Sequence, residues 1–362
     1  MEPFKADFLP LPQDAIDINT FLDELIEATA KLEVYKEKIN DSKLDPSCFL
    51  PNLQQKEALA SSKLEGTQAT LDGVLFNQVT QDNTDKNLVE VVNYLTASLE
   101  GLSYLKAQKR IDIEFINKLN KRLLKGNVRK PVDEIGQIRT KQNSIVVLGE
   151  GRVVFVPPKP EDVPALMENL VEYINTPSDN LKPLIRTAII HAQLLTIHPY
   201  GDGNGRVARI LIPLYLFACQ QIDLPCFFIS EALERDKFRY YRVLNEIRTK
   251  GNWNEWIKFF LSIVEKQCEK YIKVITQINV LYEKDLKAAC SLVHSSKMVD
   301  LMNVLFRYPV ATASIIQQHS KLSLATVNRY LSALVEHRIL DTDQKMRNRT
   351  YFYYDLLNLL RD

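Results

Sequence analysis

The stretch IHPYGDGNGRVAR, from Ile197 to Arg209, has three glycines within five residues and lies between two segments with helical apolar spacing. Glycine is otherwise scarce, because 11 of 362 residues is about 3%, against roughly 7% in average proteins. A chain this poor in residues that adopt positive φ has few tight turns, which disfavours barrels, sandwiches and glycine-rich β repeats. We therefore expect a mainly α-helical protein in which this stretch needs backbone without side chains.

The composition disfavours several classes of protein and cellular compartment. Lys and Arg number 46 against 45 Asp and Glu, so the formal charge is +1 and does not favour a chain that coats nucleic acid as a whole. No run approaches the roughly 18–20 apolar residues of a membrane span, and the first residues lack the apolar core of a secretion signal. The five cysteines form no C-x-x-C pair, which disfavours a disulfide framework or a zinc site and fits a reducing compartment. We expect a cytoplasmic protein without a membrane partner.

Helical periodicity recurs on both sides of the stretch. It is found from about residue 16 to 32 and over 53–65, 84–107, 111–125, 161–175, 183–197, 205–220, 231–249 and 253–283. One β-hairpin is predicted, with β-branched runs at 145–148 and 153–156 around Gly149 and Gly151. After residue 290, three short helices followed by two strands around a charged loop give the order of a winged helix-turn-helix.

The predicted domain organisation follows from these segments. It consists of an N-terminal helical region over 1–105, a helical core over 106–285 and the C-terminal winged helix-turn-helix domain over 290–362.

The glycine loop has the chemistry of an anion site. It leads into a helix that begins near Asn204 or Gly205, where the first backbone N–H groups are unpaired and the helix dipole is positive. Arg206 and Arg209 are three residues apart and share a face of this helix. Two guanidinium groups beside free N–H groups can hold several phosphates in a row.

Two further side chains of the stretch suit phosphate chemistry. Asp202 supplies a carboxylate for a hard divalent cation, and magnesium usually binds through one or two carboxylates together with substrate phosphates. His198 can act as a base near neutral pH. Competing motifs fail, because G-x-x-x-x-G-K-[ST], G-x-G-x-x-G and H-E-x-x-H do not occur, and an EF-hand starting at Asp202 would need Glu where Pro213 stands.

The whole string from His198 to Arg209, HPYGDGNGRVAR, resembles the signature H-P-F-x-D/E-G-N-G-R-x-x-R of the Fic family, with Tyr200 in place of Phe. Residues 136–164 resemble the part of the family that contains a substrate-binding flap, and residues 238–261 its trailing helices. The resemblance covers most of residues 1–270. It implies the Fic helical core with a β-hairpin flap.

The resemblance also implies an activity, because Fic proteins typically transfer AMP from ATP to a hydroxyl side chain of a protein. The chain would then be a protein adenylyltransferase that acts on a Ser, Thr or Tyr hydroxyl, with His198 deprotonating this hydroxyl and Asp202 holding Mg²⁺. The residues implied to bind ATP are Gly203, Asn204, Gly205 and Arg206 at the phosphates, Arg209 at the γ-phosphate, and Tyr240 and Tyr241 on the adenine side. The flap residues implied to hold the target by strand addition are Val153, Val154 and Phe155. With 15 tyrosines in the chain, we also expect auto-modification.

A second segment also resembles the family. Residues 61–66, Ser61-Ser62-Lys63-Leu64-Glu65-Gly66, resemble its inhibitory motif S/T-x-x-x-E-G/N. In the family its glutamate pairs with the second motif arginine, here Arg209. The resemblance therefore implies inhibition in cis, with Ser61, Glu65 and Gly66 as the inhibitory residues and Glu65 at the ATP site. Because the family's glutamate can also orient water, removal of AMP is a second activity to expect.

Plainer interpretations stay open for some of these residues. A lone His198 would be structural, Glu65 alone would be an exposed carboxylate at a helix end, and His191 is predicted to be a packed, hydrogen-bonded histidine. A Fic fold that transfers another phosphate-containing group is also open, although the two motif arginines favour ATP.

The C-terminal unit leaves an alternative function open. Residues 297–362 carry nine Lys and Arg against six Asp and Glu. The basic residues of interest are Arg329 on the predicted recognition helix and Lys345, Arg347 and Arg349 in the predicted wing. This permits contact with DNA and equally with a protein, so a nucleotide-sensing, DNA-binding transcription regulator is the alternative. We expect a homodimer.

Overall fold

The structure is a computed structural model that describes residues 2–80, 84–126, 134–146, 152–176, 178–343, 345 and 347–361. The helices are α1 (Leu22–Asn40), α2 (Leu50–Leu64), α3 (Leu71–Thr80), α4 (Lys86–Gln108), α5 (Ile113–Leu123), α6 (Val163–Asn175), α7 (Pro183–Ile197), α8 (Asn204–Ala218), α9 (Ser230–Arg235), α10 (Lys237–Lys250), α11 (Trp253–Val293), α12 (Met298–Arg307), α13 (Ala313–His319), α14 (Leu324–Glu336) and α15 (Tyr354–Arg361). The strands are β1 (Ile145–Val146), β2 (Val153–Phe155), β3 (Val310–Thr312), β4 (Asp341–Thr342) and β5 (Thr350–Phe352). The predicted mainly helical class is confirmed.

Helix α7 lies at the centre of the core. Its residues from Leu184 to Ile197 are all buried, as expected of a helix that is apolar nearly all round. It packs against α6, α8 and α11, and Nε1 of Trp256 in α11 donates to the Ala188 carbonyl at 2.9 Å. The loop from 198 to 203 that joins α7 to α8 is therefore held at both ends by buried helices.

Helix α2 brings the N-terminal region to that loop. It packs against α4, α8 and α9, and its buried Glu57 accepts hydrogen bonds from the Tyr94 hydroxyl and the Ser230 N–H, both at 2.9 Å. Burial raises the pKa of Glu57, although these donors act in the opposite direction. Gly66 follows the helix with φ +93°, a backbone conformation that glycine adopts without strain.

Strands β1 and β2 form the predicted antiparallel hairpin, with Ile145 opposite Phe155. Strand β2 ends one residue earlier than predicted. The part of the first predicted strand beyond Val146, and the predicted turn with Gly149 and Gly151, lie outside the described residues. The segment before α1 extends to this hairpin. The N–H of Phe4 donates to the Val156 carbonyl at 2.9 Å, and the rings of Phe4 and Phe155 lie 5.6 Å apart.

The C-terminal unit comprises α12 to α15 and an antiparallel sheet in the order β3-β5-β4. The predicted order of three helices and a hairpin is present, with β3 and α15 as additions that the sequence pattern did not predict. Several contacts attach the unit to the rest of the chain, and three of them involve α3 and α11. Leu75 of α3 packs with Val310 and Leu357, Arg361 pairs with Asp72 at 3.0 Å, and the Tyr353 hydroxyl donates to Asp285 of α11 at 2.6 Å.

Several predicted elements differ from the structure. The helix predicted over 231–249 is two helices, α9 and α10, which are separated at Asp236 (φ −118°, ψ 38°). Helix α11 continues to Val293 rather than ending near 283, and α3 was not predicted. The predicted domain boundaries fall inside or close to the ends of α4 and α11, and the division into three domains stays a prediction. Among the described residues, no helix is long and apolar enough to cross a membrane.

Candidate functional site

The end of α7 sets the orientation of His198. This residue caps the helix in the left-handed region (φ 50°, ψ 59°). Pro199 has no N–H, so the Leu195 carbonyl lacks its ordinary helical donor. Nδ1 of His198 lies 3.4 Å from that oxygen, and Nη2 of Arg248 donates to it at 3.2 Å. Because a carbonyl can only accept, this contact assigns the imidazole proton to Nδ1 and the lone pair to Nε2.

The surroundings of His198 keep its imidazole neutral. Burial lowers the pKa of His198 to about 4, and the positive charges of Arg248 and Arg139 contribute to this shift. The Leu195 carbonyl and Glu65 act in the opposite direction without cancelling it. At neutral pH the residue is therefore an uncharged base whose Nε2 can accept a proton.

A buried arginine, Arg139, holds the backbone around His198 in place. Its N–H donates to the Pro199 carbonyl and its Nε to the His198 carbonyl, both at 2.9 Å. Its Nη2 donates to the Pro158 carbonyl just after the hairpin. One side chain thus connects the loop after α7 to the base of the flap. Sequence reasoning missed Arg139, because a basic residue in a polar segment carries no signal of burial.

Asn204 and Tyr200 lock the loop internally. Oδ1 of Asn204 accepts the Tyr200 N–H at 3.0 Å, and its Nδ2 donates to the Tyr200 carbonyl at 2.8 Å. The Tyr200 ring is buried, and its hydroxyl donates to Asn117 at 2.8 Å, which satisfies the one polar atom that Phe would lack. Both the oxygen and the nitrogen of the Asn204 side-chain amide are therefore bonded within the loop.

The start of α8 has the geometry of the predicted anion site. Gly203 precedes the helix with φ +84°, and the first helical hydrogen bond runs from the Val207 N–H to the Gly203 carbonyl at 3.0 Å. The N–H groups of Asn204, Gly205 and Arg206 consequently have no partner within the helix. A Cβ on Gly203 would lie 2.9 Å from Nδ2 of Asn120, which itself donates to the Asp202 carbonyl.

Arg206 is buried between two carboxylates. Its Nη2 lies 3.3 Å from Asp202, and its Nη1 lies 3.7 Å from Glu90 of α4. Glu90 is 2% exposed and also accepts a hydrogen bond from the Thr67 hydroxyl. No motif marks Glu90 in the sequence, and sequence reasoning missed it.

Asp202 fits the role of a cation ligand. Its side chain is 38% exposed, and its Oδ1 accepts the Gly203 N–H at 2.6 Å. Among the described residues no group of three or more His, Cys, Asp or Glu side chains could hold a metal ion. A single accessible carboxylate suits Mg²⁺, which keeps waters and takes further ligands from phosphates.

Arg209 is held by the end of α2, as the inhibitory motif implied. Its Nε donates to the Ser61 hydroxyl at 2.7 Å, and its Nη2 reaches Oε1 of Glu65 at 2.7 Å. Burial is the largest single influence and opposes the charged form of this side chain, but Glu65, Tyr240 and Tyr241 together outweigh it, so the pKa of Arg209 is raised. Gly205 makes room for the pair, because a Cβ there would lie 2.2 Å from Oε1 of Glu65.

The two tyrosines assigned to the adenine side differ in exposure. Tyr240 is buried, and its hydroxyl lies 2.9 Å from Nε2 of His191, whose Nδ1 lies 3.3 Å from the Ala208 carbonyl. His191 is thus buried with both ring nitrogens in contact with polar partners, as predicted for a packed, hydrogen-bonded histidine. Burial lowers its pKa to about 3. Tyr241 is 47% exposed, with its hydroxyl 3.3 Å from the Leu64 carbonyl. Of the two tyrosines, Tyr241 offers a surface to a ligand.

The three flap residues also divide by exposure. Val153 is 38% exposed and Val154 is partly buried, whereas Phe155 is 5% exposed. The Arg248 guanidinium lies 3.9 Å from the centre of the Phe155 ring. Strand β2 of the flap therefore combines an exposed residue, Val153, with a buried anchor, Phe155.

Comparison with known proteins agrees with this arrangement. Residues 110–216 match the model of the Fic/DOC family, and residues 22–103 match that of the Fic/DOC family N-terminal region. The chain belongs to the Fic/DOC family. It is 28% identical over 239 residues to the protein adenylyltransferase Fic of Drosophila willistoni, a match over 64% of this chain and 45% of the relative. It is 30% identical over 187 residues to the protein adenylyltransferase fic-1 of Caenorhabditis elegans, over 50% and 33% of the two chains. The matches thus span less than half the length of these curated Fic relatives.

Solved structures of Fic proteins share the fold. A Fic family protein of Desulfovibrio desulfuricans superposes with a TM-score of 0.59 at 19% identity and covers 98% of both chains. A Fic domain containing signaling protein of Bacteroides thetaiotaomicron superposes with a TM-score of 0.55 at 22% identity, over 70% of this chain and 97% of that one. The Fic fold is thereby confirmed.

Proposed function

We propose that this protein is a protein adenylyltransferase that transfers AMP from ATP to a Ser, Thr or Tyr hydroxyl of a target protein. The observation that carries the proposal is one loop that combines a neutral histidine, with its Nε2 lone pair available, and a helix N-terminus beside two buried arginines. The relatives that carry the name protein adenylyltransferase support the same chemistry.

The reaction follows from the positions of these groups. Nε2 of His198 takes the proton of the target hydroxyl, and the hydroxyl oxygen forms a bond to the α-phosphorus of ATP. The bond from this phosphorus to the bridging oxygen breaks, pyrophosphate leaves, and AMP stays on the target. The free N–H groups at the start of α8 and the Arg206 guanidinium stabilise the charge that develops on the phosphate oxygens.

Asp202 is the residue that would hold Mg²⁺. When bound, the ion would neutralise phosphate charge and orient the triphosphate. Arg206 pairs with both Asp202 and Glu90, so the carboxylate that would hold the ion is itself positioned by a buried guanidinium.

The flap is proposed to present the target. Val153 and Val154 lie on the accessible part of β2, where an extended segment can add as a further strand. Phe155 has a different role in this proposal, because its buried ring fixes the strand rather than contacting the target.

Glu65 is proposed to hold the enzyme in an inhibited state. Its carboxylate occupies the guanidinium of Arg209 that would otherwise bind the γ-phosphate. ATP can then enter only in a pose that leaves the α-phosphorus out of line with His198. Removing the carboxylate frees Arg209 and allows the productive pose.

Incubation with ATP labelled at the α-phosphate, in the presence of Mg²⁺ and candidate target proteins, tests both proposals. Glu65→Gly should raise the transfer of label by about tenfold or more, the ratio that ~1.4 kcal/mol of altered binding gives. Adding His198→Ala to this variant should reduce transfer by roughly 10²–10⁴-fold. Label on the protein itself would identify auto-modification. Lys63→Gly is the matched control, because the exposed Lys63 lies in the same turn and makes no contact with Arg209.

Two results would contradict these proposals. A folded Glu65→Gly variant without any transfer of label to protein would exclude the transferase activity. Transfer that is equal in wild type, Glu65→Gly and Lys63→Gly would exclude inhibition by Glu65.

We also propose DNA contact by the C-terminal unit as a second candidate function. The exposed positions of α14 from Leu324 to Ser332 carry Asn328 and Arg329 and no acidic side chain, and Lys345 and Arg347 are exposed between β4 and β5. This surface offers side chains that contact bases and phosphates. Electrophoretic mobility shifts with genomic fragments test the proposal, and Arg329→Ala should weaken binding. Equal mobility of all fragments with and without protein would contradict the proposal of DNA contact. The homodimer and the cytoplasmic location stay predictions.

A further inference from the structure

We propose that Arg248 is a positioning residue for His198, which fixes the imidazole through the shared Leu195 carbonyl and ties it to the flap through Phe155. This inference goes beyond the motif, because Arg248 lies on α10, far along the chain from the loop. It rests on the proposed function for the role of His198 as the base.

The Leu195 carbonyl is available because of Pro199. In an unbroken helix this oxygen would accept the N–H of residue 199, which proline lacks. The two lone pairs of the carbonyl are used instead by Nη2 of Arg248, at 3.2 Å, and by Nδ1 of His198, at 3.4 Å. Nε of Arg248 also donates to the Thr196 hydroxyl at 3.3 Å. One donor of the planar guanidinium therefore holds the Leu195 carbonyl, and a second holds the neighbouring Thr196 hydroxyl. That carbonyl in turn selects the tautomer of His198.

The same guanidinium stacks on the flap. Its central carbon lies 3.9 Å from the centre of the Phe155 ring, a cation–π distance. The Phe4 ring lies 5.6 Å from Phe155, and the Phe4 N–H bonds to Val156. The last residue of β2 is therefore clamped between α10 and the N-terminal segment. A shift of the Arg248 side chain would move the anchor of the flap and the partner of His198 together.

The charged groups that influence His198 come from three elements. Arg248 approaches from α10, Arg139 from the segment before the flap, and Glu65 from the end of α2. The two cations disfavour imidazolium, and Glu65 favours it. Arg248 has the larger effect of the two cations, so we expect its replacement by a neutral residue to raise the pKa of His198.

Two readouts on the full chain test the inference, with Glu65→Gly as the starting protein. In Arg248→Met, AMP transfer at neutral pH should fall by about tenfold to a hundredfold, the loss typical of a misplaced catalytic group. The acidic limb of the pH profile should move to higher pH. In nitrogen NMR of labelled histidine, with His198→Gln identifying the signal, the proton of His198 should no longer be confined to Nδ1. Arg248→Met should also raise the KM for the target, because Phe155 loses the guanidinium that stacks on it. Arg248→Lys keeps a charge and a donor without the planar stack, so it should restore the pH profile but leave this KM raised.

Arg242→Met is the matched control, because Arg242 is exposed on the same helix. It should leave both readouts unchanged, and unfolding temperatures establish that each variant is folded. The inference is overturned if Arg248→Met transfers AMP with an unchanged pH profile and an unchanged His198 tautomer. Failure of the proposed function is a separate result, in which the starting protein transfers no AMP while the NMR signal of His198 still responds to Arg248→Met.

Discussion

Arg209 shows what residue-level reasoning from the sequence can and cannot predict. Its partner Glu65 was expected from a motif, and Nη2 of Arg209 lies 2.7 Å from Oε1 of Glu65. The partners of Arg139 and Arg248 were not expected, because a buried guanidinium bonds to whichever carbonyls the fold leaves without donors. Only the structure reveals that Pro199 frees the Leu195 carbonyl for this purpose. Motifs therefore predicted the groups that would touch a ligand, and missed those that hold them.

Gly205→Ala is predicted to weaken the Glu65–Arg209 pair. A Cβ at this position would lie 2.2 Å from Oε1 of Glu65 and 2.9 Å from Nη1 of Arg209, so the flexible carboxylate must move away. Alanine keeps the backbone N–H and is a good helix former. AMP transfer should therefore rise, although by less than in Glu65→Gly. Label transfer measured beside Gly126→Ala checks this. A Cβ on Gly126 would meet nothing within 4 Å, so the only cost there is the backbone strain of alanine at φ +87°, with no contact to Glu65 or Arg209. A rise of the same size in both variants would refute the steric explanation.

At the scale of elements, helices with strong periodicity were predicted well and short elements were not. α7 and α8 were expected at nearly their observed bounds, because each is apolar over several turns. The two short helices α3 and α15 were missed. Their apolar residues pack against each other over a long distance in sequence, as Leu75 does with Leu357, and such contacts leave no signal in either segment alone. The break at Asp236 was also invisible, because the apolar spacing continues from α9 into α10.

The contact of His191 joins three helices, α7, α8 and α10, and it predicts a pH dependence of stability. An unfolded histidine gains a proton as the pH falls below about 6.5, whereas burial keeps the pKa of His191 at about 3. The unfolded state then binds more protons, so the free energy of unfolding should fall as the pH is lowered from about 6.5 towards 4, by up to ~1.4 kcal/mol per pH unit for each such histidine.

Thermal unfolding across this pH range checks the prediction. His191→Gln, which keeps one donor and one acceptor, should flatten the dependence relative to wild type. His337→Gln, at an exposed position, should leave the slope as it is in wild type. A slope that is unaffected by His191→Gln would show that other groups control acid stability.

At the scale of the whole molecule, the C-terminal unit is connected to the segment that carries Glu65 and Gly66. α3 begins a few residues after Gly66, and it packs against β3 and pairs with α15. Helix α11 carries both Trp256, whose ring stacks on His191, and Asp285, which accepts a hydrogen bond from the Tyr353 hydroxyl. The sequence predicted the presence of both regions but not this attachment, because contacts between distant segments leave no periodic pattern.

Leu357→Ala is predicted to raise AMP transfer through this attachment. It removes apolar contact with Leu75 and Val310, loosening α3 and with it the turn that carries Glu65. A buried Leu→Ala change also costs about 2–5 kcal/mol. Leu360→Ala is the matched control, because Leu360 is equally buried on α15 but belongs to the main core. Both variants should lower the unfolding temperature, and only Leu357→Ala should raise transfer. Equal transfer in the two variants would disprove the connection.

The Glu65–Arg209 pair joins two residues of one chain that are 144 positions apart, which determines how it responds to concentration. A carboxylate tethered beside its partner has an effective local concentration that for flexible short tethers is already on the order of millimolar. This value is set by the fold and does not change when the protein is diluted. A dilute sample and a concentrated one therefore contain the same fraction of paired molecules. In the proposed inhibited state, ATP must compete with a Glu65 carboxylate whose local concentration does not fall on dilution.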